Sequence, residues 1–362
     1  MHIPDGYLSP STCATLYAAA IAGWYAALGR LKRLPAAAGR VVPLVSVFAA
    51  FAFVVMMFNL PLPGGTTGHA IGVTIAAIVL GPSGAVLAIS IALAIQALFF
   101  GDGGITTLGA NCFNMAIVGS LVAYGSYRLI AAGASIASKR RIAAAAIAGY
   151  VAVNAAALVA AIEFGIQPAL FHDANGTPLY APYRFSIALP AMMIGHLTFA
   201  GLAEALISAG LVAYLQVADP GLLQSISAVV PDREESRAAA RSAANSPRRL
   251  WIGVALLMLL TPLGILAAGK AWSEWSPSEF AKAGSTAQKA AAATEPAGAI
   301  PAGMQRLANL WTAPFPSYAP TFVKSATFGY LLSAMFGVGF LLALSLLVQR
   351  CLERRRATRY SG

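Results

Sequence analysis

Charge is scarce in this chain: Asp, Glu, Lys and Arg make up 10% of its 362 residues, against 58% hydrophobic. Soluble domains carry about 25% charged residues, so most of this surface is not built to face water. Strands that alternate apolar and polar residues over about ten positions are missing, which argues against a membrane barrel. Cysteine is nearly absent as well. Cys13, Cys112 and Cys351 stand far apart without a CxxC pair. That excludes a disulfide framework and a thiolate metal cluster, and each is expected as a small buried residue. No basic residue precedes Arg30, so the n-region of a cleavable signal peptide is lacking, and Met1 is expected to be the mature start. Gly-x-x-x-x-Gly-Lys-[Ser/Thr] does not occur, so neither a bound nucleotide nor ATP hydrolysis is expected of this chain. His-Glu-x-x-His is missing too, which speaks against an intramembrane peptidase.

What is present is a series of apolar runs, several near the roughly 20 residues that cross a bilayer as a helix. In lipid the backbone must satisfy its own hydrogen bonds, so these runs are expected to be helical. They fall at about 8–31, 41–60, 70–80, 85–100, 111–130, 142–164, 185–216, 250–268 and 328–348. The third is short and stops at Gly81-Pro82. The pattern predicts an all-α integral membrane protein, a polytopic bundle of about nine transmembrane segments: a seven-helix core and two C-terminal helices. Three units follow: a transmembrane domain over 1–216, a polar cytoplasmic linker over 217–249, and a two-helix region with a long outer loop over 250–362. The net charge of +11 reads as topology, not as affinity for nucleic acid, because the basic residues cluster in short loops and tails. With the N-terminus outside and the C-terminus cytoplasmic, 18 of the 24 Lys and Arg residues fall inside and 6 outside. Met1, the loop before His69 and the loop around Asp102 then share the outer face. Small residues at Ser46 and Ala50, or Ser333 and Gly337, are candidate surfaces for helical partners.

Histidine is rare, at His2, His69, His172 and His196. A histidine at position 2 offers a free α-amine, its own amide nitrogen and imidazole Nδ1 to a single ion, closing two fused chelate rings. Ni(II) and Cu(II) displace the amide proton readily, and one further imidazole completes a planar all-nitrogen set. Met1 must be retained for this, and bulky His2 disfavours its removal. Clustered carboxylates and thiolates are lacking, so calcium-type and zinc-type sites are poorly supported. Taken singly, His2 is equally an exposed residue of a frayed terminus, and His69 equally a cap on the helix after its Gly/Pro loop. His172-Asp173 reads as solvent-facing.

Several segments together resemble one family. Met1-His2-Ile3-Pro4-Asp5-Gly6-Tyr7-Leu8 is similar to the N-terminal signature of the CbiM/NikM family, the metal-capturing membrane subunits of energy-coupling-factor (ECF) importers for cobalt and nickel. Pro63-Gly64-Gly65-Thr66-Thr67-Gly68-His69 looks like its second metal motif. Asp102-Gly103-Gly104-Ile105-Thr106-Thr107-Leu108-Gly109-Ala110-Asn111, with Asn114-Met115, resembles its glycine-rich loop, and Gly195–Glu204 a late helix. The likeness covers about 1–216. It implies capture of Ni(II) or Co(II) as transported substrate by Met1, His2 and His69, with the chain start inserted into the bundle. Asp102, Asn111 and Asn114 would hold the ligands or the inserted segment by hydrogen bonds. His196 and Glu204, two turns apart, are expected to pair structurally. The region 250–362 resembles the small accessory subunit of the NikN/CbiN type, fused here. The implied partners are a transmembrane coupling (T) subunit and cytoplasmic ATPases, in the inner membrane of a bacterium. The rival readings are a stand-alone divalent-metal channel and an intramembrane metalloenzyme.

Overall fold

The computed structural model describes residues 1–33, 38–62, 66–223, 246–266, 300–320 and 322–360. Most of the expected polar linker, the first part of the outer loop and Pro63-Gly64-Gly65 lie outside the described residues. Helix α1 (Pro10–Lys32) starts where Ser9 accepts a hydrogen bond from the Thr12 N–H and Pro10 supplies a preset φ. Helix α2 (Ala38–Met56) leads into a hairpin of β1 (Leu60–Leu62) and β2 (Thr66–Gly68), paired antiparallel with Leu60 opposite Gly68. Helix α3 (Val73–Ile95) continues through a π-helical turn, Gln96–Phe100. Beyond a loop, α4 (Leu108–Asn111), a π-helical stretch (Cys112–Val118) and α5 (Gly119–Ala131) form one span. Helix α6 (Lys139–Leu170) follows. Next, α7 (Phe185–Gly195) joins α8 (Gly201–Ala218) through the π-helical His196–Ala200. The C-terminal region holds α9 (Ser246–Leu260), the short α10 (Ala302–Leu307) and α11 (Ala326–Tyr360).

Among the described residues, five helical runs are long and apolar enough to cross a membrane: Val73–Phe100, Leu108–Ala131, Lys139–Leu170, Phe185–Ala218 and Ala326–Cys351. Val41–Met56 and Leu250–Ile265 are shorter apolar helices. The runs expected separately at 70–80 and 85–100 are two helices that meet at Gly81, where the chain turns back: His69 before the first and Asp102 after the second both lie against His2. Gly81 sits at φ 71, outside helical geometry, and Pro82 follows without an N–H to donate. Helix α3 is the central post. In its most apolar stretch 72% of the residues are buried, against 28% for Phe185–Ala218, which lies at the periphery.

Small residues set the helix contacts. On α6 a row of alanines, including Ala148, Ala152, Ala156 and Ala160, is fully buried, so backbones approach closely and dispersion acts along the whole length. A Cβ on Gly149 would stand 3.0 Å from Ser208 Oγ of α8, and one on Gly337 would enter the Phe53 ring of α2. That second contact corrects an expectation. Ser46, Ala50 and Ser333 are buried, and α11 packs on α2, so these positions join the chain to itself and are not open to a partner. Cys13 and Cys112 are buried as expected, whereas Cys351, near the end of α11, is exposed.

Candidate metal centre

The chain start is not frayed. Met1, His2 and Ile3 are 2%, 1% and 0% exposed, and a set of backbone bonds explains why. The Ile3 N–H donates to Asn111 Oδ1 at 2.8 Å. The Ile3 carbonyl accepts from the Gly104 N–H at 2.9 Å, Thr107 Oγ1 at 2.5 Å and Asn111 Nδ2 at 3.1 Å. The Asp5 carboxylate accepts from the N–H groups of Ile105 (3.1 Å) and Thr106 (2.7 Å) and from the Thr106 hydroxyl. Tyr7 takes the Ala181 N–H at 2.9 Å, and the Ser9 N–H reaches Gln167 Oε1 at 3.0 Å. Gly104 is required here, because a Cβ would sit 2.3 Å from the Asp5 nitrogen. A buried strand of main chain must have its polar groups paired, and the 101–111 loop supplies most of the partners.

This anchoring sets His2 beside His69. Their rings stack with centroids 4.8 Å apart and planes 23° from parallel. His69 comes directly after β2 and donates from Nδ1 to the Ala70 carbonyl at 3.0 Å, which leaves Nε2 as a bare lone pair. His2 Nδ1 lies 3.0 Å from Asp102 Oδ1. The Nε2 atoms of both rings are buried without a hydrogen-bond partner, an arrangement that costs free energy unless something else occupies the lone pairs. Burial, then the nearby His2 and the Met1 ammonium, hold the His69 imidazole well below its ordinary pKa, so it is neutral and able to ligate. Burial opposes charge on Asp102. The adjacent His2 and hydrogen bonds from His2 and Tyr318 outweigh it, and hold the carboxyl well below the usual range.

The other expected residues divide. Asn111 binds the inserted segment directly, as above. Asn114 instead donates to Glu163 Oε2 at 2.8 Å, one helical turn from the Gln167 that holds Ser9. Glu204 accepts from the N–H groups of Ile71 (2.8 Å), Gly72 (2.8 Å) and Thr74 (3.3 Å). It thus caps the start of α3 and braces the residues after His69. His196 bonds the Met192 carbonyl through Nδ1 at 2.7 Å, and its Nε2 is a further buried nitrogen without a partner. His172 and Asp173 are exposed. Three residues escaped the sequence reading. Asp5 was read only as part of a motif, although an acid beside Gly6 is a usual acceptor for loop amides. Gln96 stands alone in an apolar run, which was a usable signal. Tyr318 carried none.

Among the described residues no cluster of three or more His, Cys, Asp or Glu side chains is placed to hold a metal ion. An ion bound by His2 and His69 would draw its other donors from the main chain, and the buried Met1-His2 terminus stands beside them.

The chain is a multi-pass helical membrane protein whose buried start stacks the His2 ring on that of His69. The family described as cobalt uptake substrate-specific transmembrane region, CbiM, matches residues 2–222, and the chain belongs to that family. A fused nickel transport protein NikMN of Rhodobacter capsulatus is 53% identical over 95% of both chains. A probable fused nickel transport protein LarMN of Lactiplantibacillus plantarum is 43% identical over 77% of this chain and 79% of its own. The cobalt transport protein CbiM of Ruminiclostridium cellulolyticum is 33% identical over 51% of this chain and 72% of its own. The crystal structure of a truncated transition metal transporter superposes with a TM-score of 0.55 at 52% identity, covering 59% of this chain and 98% of that one.

Proposed function

We propose that this chain is the metal-capturing membrane subunit of an ATP-driven ECF-type importer for Ni(II) or Co(II) in a bacterial inner membrane. The observation that carries the reading is the burial of Met1 and His2 against His69. The proposed ligands are the Met1 amine, the His2 amide nitrogen and Nδ1, and His69 Nε2, a planar nitrogen set suited to Ni(II) and to low-spin Co(II). His2 Nδ1 lies 3.0 Å from Asp102 Oδ1. In this ligand set the His2 Nδ1 would meet the ion and its Nε2–H the Asp102 carboxylate. Asp102 then fixes the tautomer that leaves Nδ1 bare, as carboxylates commonly do behind metal-bound histidines.

The basic residues favour an outer N-terminus and a cytoplasmic C-terminus, with about nine segments divided as 1–216, a linker over 217–249 and an accessory region over 250–362. The ion enters from the outer face. Energy comes from partners, a transmembrane coupling subunit and cytoplasmic ATPases, which reopen the loaded chain inward. Uptake of radiolabelled nickel by cells tests the assignment. The importer predicts uptake that needs this chain and its ATPases together, and that an ATPase Walker lysine substitution abolishes. Equal uptake without the ATPases would favour the channel instead.

A further inference from the structure

Tyr318 of the C-terminal region reaches the metal centre. The Tyr318 hydroxyl donates to Asp102 Oδ2 at 2.5 Å and accepts from Gln96 Nε2 at 2.9 Å. Asp102 Oδ1 faces His2, so one carboxylate is shared between the centre and the accessory region. Gln96 is fully buried, and its carbonyl also accepts the Asp102 N–H at 3.2 Å. It opens a π-helical turn, a geometry that is rare and concentrated at functional sites.

The backbone at this point is held in an unfavourable form. Ser317 (φ 55) and Tyr318 (φ 60) are the only non-glycine residues with positive φ among the described residues. Such a conformation is costly for a residue with a side chain and persists only where its surroundings overdetermine it. Here the Tyr318 ring stacks on Phe100 with centroids 4.8 Å apart. Its carbonyl accepts from Ser333 Oγ of α11 at 3.0 Å, and its N–H donates to the Phe315 carbonyl at 3.1 Å. Packing alone does not demand a phenol, since a phenylalanine would stack as well. The hydroxyl is aimed at Asp102.

We propose that Tyr318 is a positioning residue of the metal centre: its phenol pins the Asp102 carboxylate and thereby sets the orientation of the His2 ring. The inference rests on the ligand set proposed above. Asp102 can orient His2 with Oδ1 only if the carboxylate does not swing, and Tyr318 with Gln96 locks the other oxygen. Metal occupancy and docking of the 316–319 turn are then linked, and each strengthens the other by the same factor.

The test uses the full chain, purified with its native start, in wild-type form and as Tyr318→Phe, Asp102→Asn and the double variant. Ni(II) titration gives affinities, and ring nitrogen NMR of His2 in metal-free protein reports which nitrogen carries the proton. Tyr318→Phe keeps the stack and is expected to stay folded, bind Ni(II) roughly 10-fold more weakly, and alter the His2 tautomer signals. Asp102→Asn should do at least as much, and the double variant no more than Asp102→Asn alone. Unchanged affinity and unchanged His2 signals in Tyr318→Phe would overturn the proposal, as would additive losses in the double variant. A wild-type chain that binds equally well with a glycine ahead of Met1 would sink the ligand set instead, a different result from a silent Tyr318→Phe.

Discussion

At the scale of single residues, the centre depends on how the first three residues are held. The Asn111 side chain bonds both polar groups of Ile3, accepting from its N–H and donating to its carbonyl. Replacing it with alanine leaves a buried N–H without a partner, at a cost of about 1–3 kcal/mol, and lets the terminus drift from His69. Asn111→Ala is therefore expected to lower nickel affinity roughly 10- to 100-fold, measured by titration of the purified chain. An affinity within twofold of wild type would mean the inserted segment is held by other contacts. His2 and His69 stood out as rare histidines and Asp102 and Asn111 through the family resemblance; the structure sets His2 against His69 and Asp102, and Asn111 against Ile3. Tyr318 did not stand out. Its importance comes from a contact across 216 positions with Asp102, and nothing local marks the single tyrosine of the 300–320 stretch as part of a distant site.

Among the elements, α3 carries the most. Its division into two helices was legible in Gly81-Pro82, since one residue accepts the left-handed region and the next has no donor. The π-helical turns at Gln96, Cys112 and His196 were not visible, because an extra residue in a turn reflects packing and leaves no compositional trace. The hairpin before His69 was read as a loop, since three-residue strands fall below any usable alternation. Glu204 shows how one element positions another: from α8 it caps α3 and thereby fixes the chain between His69 and Val73. Glu204→Ala would strand the N–H groups of Ile71, Gly72 and Thr74 in a buried setting, costing on the order of 3 kcal/mol or more. The expected outcome is a lower midpoint in thermal unfolding together with weaker nickel binding. A variant that loses stability yet binds normally would separate the helix cap from the metal centre.

For the whole molecule, two parts of the chain converge on one end of the bundle. The first nine residues thread between the 101–111 loop and α6. The C-terminal region then closes over them: a Cβ on Gly6 would stand 2.6 Å from the Met304 carbonyl, Phe315 donates its N–H to Phe99, and Trp311 reaches the Leu98 carbonyl. The described C-terminal segments are thus packed against the chain start, where the sequence suggested two helices with a long outer loop. The reading as a whole turns on the α-amine of Met1 acting as a ligand. One titration decides it: Ni(II) binding to the purified chain with its native start, against the same chain carrying a single glycine before Met1, followed by calorimetry and by the ligand-field absorption of the bound ion. Loss of binding and of the planar-nickel spectrum on extension is the predicted result. Equal affinity with an unchanged spectrum would contradict the account, because the added residue moves the amine out of the chelate while leaving both imidazoles in place.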